Sequence, residues 1–173
     1  MNILIRLLWG KNVSEANFGP SKKIWLKYWI IQKILRINSE VPWPVHPTTR
    51  VLSPKNIDRG TRTPGLSCGC HIDGRNGIVF GKNVWVGPHV AIISMNHDIN
   101  NYKKYIKDKS IKIGDNCWIG AKSVILPAVH LGEHTVVAAG SVVTKSFSDG
   151  NQLLAGVPAR IIKKLSNYED SEF

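Results

Sequence analysis

Between Ile113 and Ser148 the chain repeats every six residues: IGDNCW, IGAKSV, ILPAVH, LGEHTV, VAAGSV, VTKSFS. An aliphatic side chain opens each block (Ile113, Ile119, Ile125, Leu131, Val137, Val143), and in most blocks a small residue follows it (Gly114, Gly120, Gly132, Ala138). A period of six is neither the 3.6 of a helix nor the alternation of a half-buried strand. It predicts a strand-and-corner unit with one aliphatic side chain per block pointing inward, beside a small residue that lets the backbone turn. Such a unit cannot bury its apolar face alone, so copies must stack. Three blocks then make one triangular turn of about 18 residues, and turns stack at about 4.8 Å.

The same pattern is legible earlier, at Phe80-Gly81, Val86-Gly87 and Ile92, and then breaks, because Ile92 and Ile113 stand 21 positions apart. The break is the polar segment Ser94 to Ser110, SMNHDINNYKKYIKDKS. A long polar excursion from a rigid repeat is where chemistry tends to sit. From Thr48 to Asn76 the pattern is weak and interrupted by Pro54, Gly60, Pro64, Gly65, Gly69 and Gly74, as expected of an irregular first turn.

Ahead of the repeat, Ser21 to Ile37 reads as a helix. Ser21 is its cap, Ile24, Tyr28, Ile31 and Leu35 form one face, and Trp25, Leu26, Trp29 and Ile30 spread apolar surface beyond it. Lys22, Lys23, Lys27, Lys33 and Arg36 make it basic, and their interspersion argues against a membrane-spanning segment. It suits packing on the repeat or a neighbouring subunit, or lying on a membrane surface. Met1 to Trp9 is apolar but lacks a secretory cleavage site, and Lys11 to Pro20 reads as a turn. Val41 to Pro47 is extended, because each proline pushes its predecessor out of helical geometry. After Ser148 comes an Asp149-Gly150 turn, and Leu153 to Ile162 closes the stack, which otherwise exposes a strand edge. The expected organisation is a helical and extended segment over 1–47, a repeat domain over 48–162 with an inserted loop at 94–110, and a polar tail over 163–173, with a short helix allowed there.

At 173 residues the chain can bury a substantial core in one domain. Its net charge of +11 favours solubility and suits an anionic cofactor, an anionic glycan or a membrane surface. Nucleic acid is a poor fit: zinc-finger spacing, an RNA-binding aromatic motif and a run of five basic residues are all missing. The three cysteines argue against a disulfide framework and fit a reducing cytoplasm. Cys68-Gly-Cys70-His71 is spaced CxC, not CxxC, so packed or turn residues are expected there and no metal. Cys117 shares its place in the repeat with Ser123, Val129, Thr135 and Ser141, which makes it a small core-side residue.

His97 is the candidate for chemistry. It sits in the polar excursion between Asn96 and Asp98, in a segment too polar to be core. An imidazole titrates near neutrality, as a general base must. Asp98, or a backbone carbonyl, is placed to orient the ring. His71, near the irregular first turn, is a further candidate for acceptor contact. His89, His130 and His134 occupy repeat positions and read as surface or inter-subunit residues.

The repeat, the His-bearing loop and the C-terminal AGVPAR (Ala155 to Arg160) occur in the order found in the hexapeptide-repeat acyltransferases, which the chain resembles over roughly Ile78 to Ile162. The resemblance implies a mainly β fold, the left-handed parallel β-helix, whose hand runs against the usual right-handed crossover. It implies a homotrimer with active sites between neighbouring β-helices, and an acetyl-CoA-dependent O-acetyltransferase in which His97 deprotonates an acceptor hydroxyl without an acyl-enzyme. Asn96 and Asp98, flanking His97, are candidates for acceptor contact with His71, and the resemblance implies backbone contacts to the pantetheine arm at Ala121 and Ala139. It also places Thr144, Lys145 and Arg160 near the nucleotide end and Trp118 near the site. Galactoside and maltose acetyltransferases of this family carry a sugar-binding Asn in the turn before the His loop, and Ser67 to Cys70 has none. The short chain, basic helix and proline-rich entry look more like enzymes acting on bacterial surface-polysaccharide sugars. Serine or an antibiotic is the alternative acceptor. Two other classes stay open: a zinc carbonic-anhydrase-like β-helix, for which His130 and His134 are spaced four apart, and a non-catalytic scaffold.

Overall fold

The computed structural model describes residues 22–169. The expected apolar start, the turn before Pro20 and the Ser21 cap lie outside the described residues, as does the tail beyond Glu169.

The chain winds through five turns of a three-faced parallel coil. The first face stacks Arg50–Leu52 (β1), His71–Asp73 (β3), Ala91–Ile93 (β6), Val124–Ile125 (β11) and Val142–Val143 (β14). The second stacks Ile57–Asp58 (β2), Ile78–Phe80 (β4), Ile111–Ile113 (β9) and His130–Leu131 (β12), with Phe147 bridging to Leu131. The third stacks Trp85–Val86 (β5), Trp118–Ile119 (β10), Thr135–Val137 (β13) and Gln152–Gly156 (β15), and ends in an antiparallel strand, Ala159–Lys164 (β16). In-register pairing lines like residues up inside. Ile72, Ile92, Ile125 and Val143 form one column, Phe80, Ile113 and Leu131 another, and Val86, Ile119, Val137 and Leu154 the third. Nearly all of them are buried in one continuous core.

The glycines of the repeat serve a purpose other than the one expected. At Gly114 and Gly120 φ is not positive. A Cβ there would lie 2.7 Å from Glu133 N and 2.6 Å from Ala139 N of the next turn, so the requirement is close stacking, not turning. The backbone turns two residues later, in the left-handed region, at Asn83 and His89 and, past the excursion, at Asn116, Lys122, Ala128, His134 and Gly140, with a period of six within each run. The fifth-place residues Cys117, Ser123, Val129, Thr135 and Ser141 are buried, and the Ser123 and Thr135 hydroxyls donate to the carbonyls of Gly120 and Gly132.

The irregular first turn ends sooner than the pattern suggests. Only its third side, residues 59–70, lacks a strand, and His71–Asp73 already begins the second turn. The open lower end is plugged by Val41, Trp43 and Val45, with the Trp43 indole donating to Pro64 O at 3.0 Å. At the upper end β15 and β16 form a hairpin that closes the third face, and β16 runs two residues into the stretch expected to be tail. Residues 165–169 are not helical.

The N-terminal helix differs from its expected form in length and in face. It is α-helical over Lys22–Trp29 (α1) and continues as a wider π-turn over Ile30–Ile34. The buried side is Trp25, Tyr28 and Gln32, while Leu35 is exposed. Gln32, fully buried, donates to the carbonyls of Asn38, Val41 and Trp43 and accepts from Val45 N–H. The link 38–45 has no ladder of its own, so these polar groups need a buried partner, and an amide supplies donor and acceptor together.

Candidate active site

The excursion at the edge between the first and second faces is a β-hairpin, Asn96–Asp98 (β7) paired antiparallel with Asn101–Ile106 (β8). His97 is exposed on it, and its ring packs against Tyr105 at a centroid distance of 4.6 Å. His97 Nδ1 lies 2.5 Å from the Tyr102 carbonyl oxygen. A carbonyl only accepts, so Nδ1 carries the proton and Nε2 of the neutral ring presents a lone pair outward. Of the two orienting groups considered from sequence, the backbone carbonyl is the one in contact; Asp98 instead accepts from Asn100 N–H at 2.8 Å and shapes the hairpin turn. Asn96 is exposed and Asp98 half-buried.

The hairpin is seated on the corner of the turn below. Asp73, buried, holds Arg75 through a bidentate pair with a closest approach of 2.7 Å. Burial alone would raise the Asp73 carboxyl, but the bonds from Arg75 outweigh it and hold the group below its ordinary value. The Arg75 guanidinium lies 4.8 Å from the Tyr105 ring centroid. Asn76 Nδ2 donates to Ser94 O and to Ile106 O, tying the two legs of the hairpin together, and Asn76 N–H donates to Ser94 Oγ. Sequence reading passed over Asp73, Arg75, Asn76, Tyr102 and Tyr105. One signal was available: Ile72 and Phe80 are eight positions apart where the repeat gives six, so this corner has two residues to spare.

The other candidates lie elsewhere on the coil. His71 faces outward from the first face, in register with Arg50 and Ala91. Ala121 and Ala139 are stacked at the edge between the third and first faces, with the Gly140 N–H bonded to Ala121 O. A Cβ added at Gly140 would meet nothing within 4 Å, so this edge is open and its backbone reachable. Trp118 is 56 % exposed on the third face, in register with Trp85 at 54 %. They line a groove of about 430 Å³ with Asn116, His134, Val136 and Tyr168. Thr144, Lys145 and Arg160 are exposed in the fifth turn. His97 and the Ala121–Ala139 edge thus occupy different edges of one prism, separated by a side of about 15 Å at about 3.3 Å per extended residue.

Among the described residues no group of three or more His, Cys, Asp or Glu could hold a metal ion. His130 and His134 are engaged separately, with Ser148 and Asn151. Burial pushes the Cys117 thiol up to about 12 and raises that of Cys70.

The bacterial transferase hexapeptide family (six repeats) matches residues 110–145. Galactoside O-acetyltransferase of Escherichia coli strain K12 is 34% identical over 95 residues, covering 53% of this chain and 46% of that protein. The chain spans about half the length of the curated relatives it matches. A maltose O-acetyltransferase structure from Clostridium difficile 630 is 30% identical with a TM-score of 0.57, covering 69% of this chain and 64% of the other. A galactoside acetyltransferase solved in complex with coenzyme A superposes over 98% of this chain and 86% of its own, with a TM-score of 0.62 at 23% identity, a likeness of fold. The chain therefore carries the bacterial transferase hexapeptide repeat over 110–145, has the left-handed β-helix fold, and is similar through that repeat to acetyltransferases.

Proposed function

We propose that the protein is an acetyl-CoA-dependent O-acetyltransferase acting on a sugar hydroxyl, with His97 as general base. The observation that carries this reading is the His97 ring. Its proton is fixed on Nδ1 by the Tyr102 carbonyl, so the exposed Nε2 can take a proton from an acceptor. The thioester supplies the acetyl group. Nε2 takes the hydroxyl proton as the new C–O bond forms, and returns it to the departing sulfur. Asn96 and Asp98 flank the acceptor. The Ala121–Ala139 edge suits an extended amide-rich arm, because its small side chains leave the backbone accessible, with Trp118 beside it. Thr144 and the exposed cations Lys145 and Arg160 suit phosphates.

The placement of these groups favours an assembly. The base and the arm-binding edge lie on different edges of one chain, and a second copy can bring them together. The outward side chains agree: above Arg50 and His71 the first face carries the apolar row Ala91, Val124, Val142, and the third carries Trp85, Trp118, Val136, Leu153, whereas the second carries Asp58, Val79, Lys112 and His130. Two faces with apolar rows in the upper turns and one polar face suit a closed ring of three.

The relatives' sugar acceptors support the substrate class, and the lack of an Asn at Ser67 to Cys70 turns the reading from a simple galactoside toward a surface-polysaccharide sugar. No described helix is long and apolar enough to cross a membrane. Leu26, Ile30, Ile34 and Leu35 nonetheless form an exposed apolar strip beside Lys23, Lys27, Lys33 and Arg36, which suits a cytoplasmic enzyme touching the inner membrane face from outside the bilayer. Thiol release from acetyl-CoA, screened over sugars, nucleotide sugars, serine and antibiotics, tests the reading. A sugar or nucleotide sugar should turn over. A protein that binds no acetyl-CoA at millimolar concentration by calorimetry contradicts it.

A further inference from the structure

We propose that Arg75 is a positioning residue for His97, acting through Tyr105, and that the enlarged corner Asp73–Gly77 is a saddle built to seat the hairpin. This rests on the reading of His97 as the base. The physical need is plain. A two-stranded hairpin is marginally stable in water by itself, and every residue of β8 is exposed. Left alone, it would let the His97 ring wander. The saddle answers that at three points. Ser94, where the chain leaves the coil, gives its N–H to Asp73 O at 3.0 Å. Asn76 clamps Ser94 and Ile106, the entry and the exit. Arg75 reaches the middle of the hairpin, under the residue that pairs with His97 in register.

Arg75 is suited to this by its shape. Asp73 occupies the edge of the guanidinium, through Nε and Nη2 at 2.7–3.0 Å, and so fixes its plane. The guanidinium carbon, so held, lies 4.8 Å from the centre of the Tyr105 ring. The other contact of Tyr105 is the His97 imidazole. Cation, phenol ring and imidazole make one chain of contacts rooted in a buried carboxylate, the two rings tilted by 43° to each other. A lysine could pair with Asp73 but lacks the planar two-point fork that fixes the direction of the cation. Tyr105 is 54 % exposed, so burial of apolar area does not account for an aromatic residue there.

The test uses the full chain labelled with 15N-histidine, comparing wild type with Arg75→Ala, Arg75→Lys, Tyr105→Phe and Tyr105→Leu. Ring-nitrogen shifts of His97 report its tautomer, and steady-state kinetics with the acceptor from the screen separate kcat from KM. Wild type and Tyr105→Phe should show the Nδ1–H form. Arg75→Ala, Arg75→Lys and Tyr105→Leu should show averaged tautomers and a kcat lower by at least about tenfold, with the KM for acetyl-CoA within about twofold of wild type. The three changes lie outside the coil's core, so the fold persists in at least one of them. Unchanged ring shifts and kcat in Arg75→Ala or Tyr105→Leu overturn the proposal. The shifts decide the seating whether or not His97 is the base; the base reading fails separately, if His97→Ala turns over like wild type.

Discussion

Single atoms set the limits at several positions. The Cα hydrogen of Gly120 faces the backbone of the next turn, and a methyl group there would sit 2.6 Å from both Ala139 N and Val137 O. Backbone cannot yield as a side chain can, so Gly120→Ala should cost about 1–3 kcal/mol, read as a lower denaturant midpoint at unchanged slope. Cys117 should resist alkylation in the native protein at pH 8 and react once unfolded, since burial holds its thiol near 12. Asp73 has a sign that can be checked. Its carboxyl is depressed in the folded chain, so its contribution is present above the ordinary aspartate value of about 3.9 and is lost as pH falls through the lower folded value. Hairpin amides should therefore lose exchange protection in acid, and Asp73→Asn should remove that acid limb at a cost of about 1–3 kcal/mol in neutral conditions.

At the scale of elements, the N-terminal helix shows how a pattern misleads. Its apolar spacing nominated Ile24, Tyr28, Ile31 and Leu35; Tyr28 is buried with Ile24 packed beside it, yet Leu35 is exposed and the buried side also holds Trp25 and the Gln32 amide. Periodicity counts apolar residues and cannot see that the link 38–45 needs hydrogen-bond partners more than it needs another aliphatic contact. Gln32→Leu should leave the Val41 and Trp43 carbonyls and the Val45 N–H unpaired, while Asn38 O keeps the Val41 N–H, at a cost of about 2–4 kcal/mol locally. Hydrogen exchange should show the loss confined to residues 22–45, with the repeat unaffected. The saddle was equally hard to read. Arg75 meets Tyr105 thirty positions later because two consecutive turns both carry extra residues at the same edge, and a one-turn pattern does not record which edge an insertion occupies.

For the molecule as a whole, the coil was legible because one aliphatic per six residues leaves few ways to bury the set, and the columns of Ile72, Ile92, Ile125 and Val143 realise that arithmetic. Its left hand came from family resemblance, since spacing is the same for either hand. The outward rows on two faces predict association. Val124→Asp with Val142→Asp should turn a trimer into monomers by light scattering, with the coil intact by circular dichroism. If the arm-binding edge and the base come from different copies, the monomer should also lose turnover. The most direct measurement is turnover of His97→Ala against wild type on the selected acceptor, with acetyl-CoA affinity measured alongside. The account predicts a kcat lower by about 10²–10⁴-fold at unchanged acetyl-CoA affinity; a variant that turns over within a few-fold of wild type contradicts it.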